Sequence, residues 1–375
     1  MTIIFWLSIS SIIYAYFGYP LVLFLISLFR SHEVASDNTY RPAVTLIITV
    51  HNEEKRIEKK INNTLALDYP KEKLEVIFAS DASTDATDEI VRKYQDRGIT
   101  LVRSPKRGGK EFSQKFAIEQ STGEVIVFTD VATILEKDGL CKIVSNFADS
   151  TVGCVSSEDR FIDDQGKVSG EGAYVRYEMW LRSLESTVNS VVGLSGSFFA
   201  ARKEICENWP TNIPSDFNTL LNCIKAGYRG IIDPDSIGIY TNIKDENKEF
   251  DRKVRTITRG LSAFMKNIDL LSPFHYGVFS WQLFSHKLMR WFVPWCLVLA
   301  LFTNMFLAVK NAFYSLMLAI QVVCYLLAAL GRVSGNGSVL FKIPFYFIQV
   351  NHAIAVAWIK YIKGERFVVW TPSSR

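Results

Sequence analysis

A chain of 375 residues is too long for one small domain and suits one large domain with attachments. Its 49% apolar content and mean hydropathy of +0.12 exceed what a soluble globular chain carries, which points to membrane segments. With 42 basic against 38 acidic residues the net charge is only +4, so no feature calls for a nucleic-acid partner.

Residues 1–29 contain no acidic or basic side chain, and about 20 apolar residues suffice to cross a bilayer. No basic segment precedes this run, it is too long for a leader, and no small-residue cleavage site follows. Residues 1–30 therefore read as a signal-anchor helix.

Between 41 and 270 short apolar runs alternate with amphipathic ones. VTLIITV (44–50) is a β-branched run suited to a strand buried on both faces. NEEKRIEKKINNTLAL reads as a helix, with Ile57, Ile61 and Leu65 four apart and acids in the first turn. LEVIFAS (74–80) is the next strand, STDATDEIVRKYQDRG the next helix with Gly98 as its stop, and ITLVRS (99–104) the third strand. KEFSQKFAIEQ is the third helix and EVIVFTD (124–130) the fourth strand. Such alternation predicts an α/β fold: a mostly parallel, Rossmann-like sheet with helices on both faces.

From 271 to 290 aromatic residues mix with His275, His286, Lys287 and Arg290, as in a helix lying in the headgroup layer. The region 291–362 holds two firm crossings, then a weaker run from about 343 carrying Gln349, Asn351 and His352. The tail is 363–375. Arg30, Arg41, Arg332, Lys342, Lys360, Lys363, Arg366 and Arg375 all fall inside if the chain crosses three times with an outside amino terminus and an interfacial or re-entrant last segment. A fourth crossing would put the Lys360–Arg366 cluster outside. The six cysteines (Cys141, Cys154, Cys206, Cys223, Cys296, Cys324) show no C-x-x-C or metal-ligand spacing and read as reduced, buried thiols.

In open parallel sheets ligands bind beyond the carboxyl ends of the strands. The residues there are Thr49, His51 and Glu53, then Asp81, then Asp130. Taken singly, Asp81 reads equally well as a helix cap and Asp130 as a turn former. Together, carboxylates at one crevice suit a phosphate-bearing ligand with Mg²⁺ or Mn²⁺.

PAVTLIITVHNEE, IFASDASTD, RGGKEFSQKFAI, GEVIVFTDVAT, GLSGSFFAARKE, IPSDFNTLLNCIKAGYR and RKVRT occur in one order over some 220 residues. This set resembles the family 2 glycosyltransferases of the GT-A fold, in the membrane-bound group of cellulose, hyaluronan and poly-N-acetylglucosamine synthases. The resemblance implies transfer of a sugar from a nucleotide diphosphate, a UDP-sugar, to a polysaccharide or lipid-linked glycan at the cytoplasmic face of the cell membrane. It implies that Thr49, His51, Glu53 and Asp81 contact the nucleotide, with His51 where Tyr is usual. Lys110 would approach the donor, and Asp130 would hold Mg²⁺ or Mn²⁺. Asp216 is the implied general base, although Phe217, Leu220, Leu221 and Ile224 follow at helical spacing and a plain helix cap explains it too. Arg252 and Arg255 would grip the diphosphate, and Ser195, Gly196 and Trp180 would face the acceptor.

Two positions depart from the family pattern. Ala132 stands where the metal motif carries its last acid or Asn, and Thr256 where a Trp stacks on the acceptor sugar. They keep open a different reading, an inactive subunit or sugar-nucleotide sensor of an export assembly, and weaken the case for a processive synthase. Two firm C-terminal crossings are few for a secretion channel unless the protein oligomerises or has export partners.

Overall fold

A computed structural model describes residues 1–162, 173–241, 246–333 and 339–367; the end of the expected tail beyond 367 lies outside the described residues. The chain opens with α1 (Thr2–Ile13), which passes through a π turn, Tyr14–Gly18, into α2 (Tyr19–Ser27). The elements that follow are β1 (Val44–Val50), α3 (Ile57–Leu65), β2 (Leu74–Ser80), α4 (Thr87–Arg92), β3 (Ile99–Arg103), α5 (Lys110–Gln120), β4 (Val125–Asp130) and β5 (Ile134–Leu135). Next come α6 (Gly139–Ser145), β6 (Val152–Ile162), α7 (Ala173–Val188), β7 (Phe198–Arg202), α8 (Ser215–Lys225) and β8 (Arg229–Thr241). The last helices are α9 (Glu246–Lys266), α10 (Pro273–Leu283), α11 (Arg290–Ala308), α12 (Ala312–Val333) and α13 (Val339–Ile362).

The chain divides into two compact units, one of Ile26–Lys244, Ser262–Phe279 and the last residues, the other of Met1–Leu25, Asp245–Leu261 and Ser280–Arg366. The first is built on an eight-stranded sheet in the order β3-β2-β1-β4-β7-β6-β8-β5. Strands β3, β2, β1 and β4 are mutually parallel, as the alternation of strands and helices predicts. Beyond β4 the sheet becomes mixed: β7 runs antiparallel to β4 and β6, β6 and β8 pair in parallel, and the two-residue β5 closes the edge against β8. Every residue of β1 is buried, so its unbroken β-branched run is what a central strand requires. Ile48, Phe78, Val127, Ile143 and Phe198 belong to one core cluster, so the parallel and mixed halves share a single interior.

Gly123, in the turn before β4, touches the start of β1. A Cβ there would sit 2.4 Å from Thr45 N and 2.7 Å from Val44 C, against backbone that cannot step aside. Its own N–H donates to Thr45 Oγ1 at 2.9 Å, which fixes the approach.

Helix α3 buries Ile57, Lys60, Ile61 and Thr64, one helical face with a lysine in it. Lys60 Nζ donates to Thr133 O at 2.6 Å and Thr129 Oγ1 at 3.1 Å, on either side of Asp130. Burial pushes its pKa down to about 7, against the pull of Asp130. A bare ammonium in the core thus pins the turn that presents the last residue of β4.

The second unit is helical. Thr2–Ser27, Val278–Ala308, Ala312–Arg332 and Leu340–Ile362 are long and apolar enough to cross a membrane. Three features of these helices bear on the expectations. The last segment is one uninterrupted helix of spanning length, with Gln349 to His352 inside it, although Pro344 lies within. The expected headgroup helix at 271–290 is kinked at Gly277 and then continues through a π turn, Phe284–Met289, into α11. Finally α9, expected within the sheet domain, groups up to Leu261 with the apolar helices: Phe250 lies against His352 and the Lys253 ammonium over the Tyr346 ring. Helix α1 packs along α11, and the Tyr14 hydroxyl accepts Trp281 Nε1 at 2.9 Å while pairing with Ser285 Oγ at 2.8 Å. All six cysteines are free, but only Cys154, Cys206 and Cys223 are buried; Cys324 is exposed on α12, because an apolar segment that faces outward in a spanning helix need not be core.

Two outcomes follow for stability. Gly123→Ala forces β1 and the turn apart and should cost about 1–3 kcal/mol, read as a lower midpoint of thermal unfolding. For Lys60, the unfolded chain keeps the proton up to the ordinary lysine value of 10.5 whereas the folded chain releases it near 7. Between those values the unfolded state binds more protons, so folding stability rises with pH across that window. Lys60→Met should flatten this rise, checked by melting temperatures in detergent at about pH 6.5 and about pH 9.

Candidate active site

The site is organised by Lys110, the first residue of α5. Its Nζ donates to Asp130 Oδ1 at 2.6 Å and to the Gly196 carbonyl at 2.8 Å. Burial alone would lower its pKa, but the Asp130 carboxylate, with Glu111 and Asp216 behind it, holds it above the ordinary value. Lys110 is therefore a fixed cation and not a solvated helix start. Asp216 joins the group from α8: a Cβ placed at Gly196 would come within 3.3 Å of Asp216 Oδ2. The cap explanation of Asp216 fails, because the N-cap of α8 is Pro214 and the helix begins at Ser215. The structure thus brings Lys110, Asp130, Gly196 and Asp216 together around one point.

The loop that carries Gly196 is anchored from beneath. Ser195 and Ser197 both donate through Oγ to Asp159 Oδ1, at 2.6 and 2.7 Å, and Ser195 N donates to Ser156 Oγ at 2.8 Å. Burial pushes the Asp159 pKa up, opposed by the two serine hydroxyls and by Arg182. Ser195 is 2% exposed with its hydroxyl committed to Asp159, so its side chain supports the loop. The sequence reading missed Asp159 and Lys60. Lys60 carried a signal, a lysine on the Ile57–Ile61 face of its helix; Asp159 carried none, since its partners arrive some 36 residues later.

At the other strand tips the side chains expected to meet the nucleotide are enclosed. Thr49, His51, Glu53 and Asp81 are all buried. Asp81 caps, but not the helix that follows it: its Oδ1 and Oδ2 accept the N–H groups of Gly108 and Gly109, at 2.7 and 2.9 Å, at the N-terminus of α5. Gly109 meets it with φ of 96°, a backbone conformation open to glycine. Each carboxylate oxygen keeps a further acceptor position beside its amide. His51 Nδ1 lies 2.7 Å from the Asp81 carbonyl oxygen. Glu53 is gripped by Arg56 through two bonds of 2.8 Å, and burial still raises its pKa, with Asp130 and Asp85 adding to the effect. Thr49 Oγ1 has no hydrogen-bond partner among the described residues, the one expected nucleotide contact left with a buried, unmatched hydroxyl.

The three remaining expected residues lie on helices α7 and α9. Trp180 lies on α7, 45% exposed, with its ring beside Tyr177. Arg252 and Arg255 belong to the helical unit. There Arg252 forms a two-point pair with Glu249, at 2.8 and 2.7 Å, and burial lowers the Arg255 pKa, helped by the charges of Arg259 and Arg252.

The metal motif reduces to one side chain. Among the described residues no three His, Cys, Asp or Glu side chains gather as a cage, and Ala132 has no side-chain oxygen. Asp130, 29% exposed in its side chain, fits the mode in which a hard divalent ion rests on one carboxylate and takes its remaining oxygens from water and a ligand's phosphates.

A family model described as glycosyl transferase family 2 matches residues 45–209. Over 208 residues the chain is 26% identical to the glycosyltransferase AglE of Haloferax volcanii, covering 53% of this chain and 67% of that one. Over 195 residues it is 26% identical to the poly-beta-1,6-N-acetyl-D-glucosamine synthase of Staphylococcus aureus, covering 50% of this chain but only 47% of the synthase. The mannosyltransferase PcManGT of Pyrobaculum calidifontis, solved in complex with GDP-Man and Mn²⁺, superposes with a TM-score of 0.75 at 26% identity over 96% of this chain and 99% of its own. Sheet order, strand-tip residues and these likenesses agree: residues 45–209 are similar to glycosyl transferase family 2, the sheet is of the GT-A type, and the chain has four helices of membrane-spanning length.

Proposed function

We propose that the chain transfers a sugar from a nucleotide-diphosphate donor to a glycan or lipid-linked acceptor, with inversion, at the cytoplasmic face of a membrane. The observation that carries this reading is the cluster in which Lys110 bridges Asp130 and Gly196 while Asp216 packs against that glycine. It gathers a cation, a carboxylate able to hold a metal and a second carboxylate around one glycine. Inversion needs only that much: one base and no second nucleophile.

Asp216 takes the proton of the acceptor hydroxyl, whose oxygen bonds to the anomeric carbon from the face opposite the diphosphate. The bond from that carbon to the phosphate oxygen breaks, and its electron pair leaves with the diphosphate. Lys110 and the N-terminus of α5 meet that growing negative charge. A divalent ion bound with the donor would supply further charge neutralisation, and Asp130 is the residue to hold it.

A UDP-sugar follows from the family resemblance. The GDP-Man bound by the Pyrobaculum enzyme makes a GDP-sugar the second reading. Nucleotide release from UDP-N-acetylglucosamine and from GDP-mannose in native membranes decides between them. Tight nucleotide binding without turnover of any donor would favour the sensor.

Asp216→Asn keeps the size of the side chain but accepts no proton, so the transfer rate should fall by about 10²–10⁴ with nucleotide affinity retained. Transfer at the wild-type rate would remove Asp216 from the chemistry. Asp130→Ala should lose turnover and also Mn²⁺-dependent nucleotide binding by calorimetry, and full activity in excess chelator would refute the metal assignment. The resemblance assigns Arg255 to the diphosphate, and weaker nucleotide binding by Arg255→Ala is the check on that.

Topology is tested separately. A phosphatase active only outside the membrane should be silent when fused after Arg41 and active after Asn311, in the turn between α11 and α12. The opposite pattern would place the catalytic domain outside.

A further inference from the structure

Glu111 is 1% exposed and takes no part in the transfer described above. It follows Lys110 in the first turn of α5, and adjacent helical residues point in different directions. Lys110 reaches Asp130 and Gly196, whereas Glu111 reaches another element. Its Oε1 accepts the backbone N–H of Ser215, the first residue of α8, at 3.3 Å. Its backbone carbonyl accepts Trp209 Nε1 at 3.2 Å, so one residue holds the segment entering α8 at two points.

Helix α8 needs this help. Its N-cap is Pro214, which has no hydroxyl or carboxylate to offer the first amides, and no side-chain cap bond forms there. Buried amides at a helix start require an acceptor, and an anion also suits the positive end of the helix dipole. Glu111 provides both from a neighbouring helix. The residue after Ser215 is Asp216, so the anchored turn is the one that carries the base.

We propose that Glu111 is a positioning residue for Asp216. By tying down the first turn of α8, it holds the Asp216 carboxylate against Gly196 and stops it from closing onto the Lys110 ammonium. The inference rests on the reading of Asp216 as the base. Lys110 already sits in the field of Asp130, Glu111 and Asp216 together. A loosened α8 turn lets Asp216 pair with that ammonium. The base then becomes less able to take a proton. Glu111 itself, enclosed by α5, α8 and Trp209, meets no substrate.

A double-mutant cycle on the full-length protein tests this, with nucleotide release from whichever of UDP-N-acetylglucosamine or GDP-mannose the wild type turns over. Glu111→Leu removes the acceptor and should lower kcat by about 10- to 100-fold, the scale of a misplaced catalytic group. Glu111→Gln keeps an oxygen for the Ser215 N–H and should stay within about threefold of wild type. Calorimetric affinity for the nucleoside diphosphate should change by no more than about twofold in either, since only the base is displaced. In an Asp216→Asn background Glu111→Leu should have no further effect, because the group it positions is gone. If the loss from Glu111→Leu persists in full in that background while Asp216→Asn is itself slow, the base reading stands and the positioning role is wrong. Wild-type kcat in Glu111→Leu, or parallel loss of kcat and nucleotide affinity in Glu111→Gln, overturns it as well. Should Glu111→Leu not fold, Glu111→Asp replaces it, with the charge kept and the reach shortened. A drop in kcat at constant nucleotide affinity then supports the role, and an unchanged kcat rejects it.

Discussion

One ammonium group holds the catalytic unit's working end together. Lys110 Nζ joins the tip of β4, through Asp130, to the loop before β7, through the Gly196 carbonyl. With a side chain only 12% exposed, it is a charge largely taken out of water, and such a charge is tolerable only because carboxylates compensate it. The same compensation keeps it protonated, so the cation is in place before any donor arrives. Gly196 lies close to Asp216, where a Cβ would sit 3.3 Å from Oδ2, and the donor side and the acceptor side of the proposed reaction meet across that residue.

The scaffold around this contact is a set of buried polar anchors, each fixing one tip. Lys60 pins the turn after β4 by two oxygens, Asp159 pins the loop of residues 195–197 through two serine hydroxyls, and Asp81 pins the start of α5 through two glycine amides. Buried polar groups are costly unless matched, so these pairings also specify a single arrangement. Site geometry here depends less on the apolar core, which tolerates conservative exchange, than on these few bonds between elements far apart in sequence.

The helical unit follows a different rule. Its four long helices are apolar enough to cross a membrane, and some of its polar groups pair within the unit. The Tyr14 hydroxyl takes both Trp281 and Ser285, and the Arg290 guanidinium stacks over the Tyr16 ring. The Tyr14–Ser285 bond joins the two π turns, and Arg290 directly follows the second of them.

Local chemistry made much of this protein readable. Periodicity located β1, β2 and α5 at the bounds observed, and the parallel order of the first four strands follows from their alternation with helices. The strand bounds alone put Thr49, Asp81 and Asp130 at the strand tips, since position along a strand depends on neighbours in sequence. Other features were beyond that reach. The mixed half of the sheet, the assignment of α9 to the helical unit and the direction in which Asp81 caps all depend on which distant segment lies alongside. Lys110 reads as a solvated residue at the head of a helix until β4 and Gly196 are folded against it. Ser195 reads as a substrate contact until Asp159 claims its hydroxyl. Sequence determines what each group is able to bond, and the tertiary fold decides which bond it makes, because burial removes water as the competing partner and leaves only what has been brought within reach.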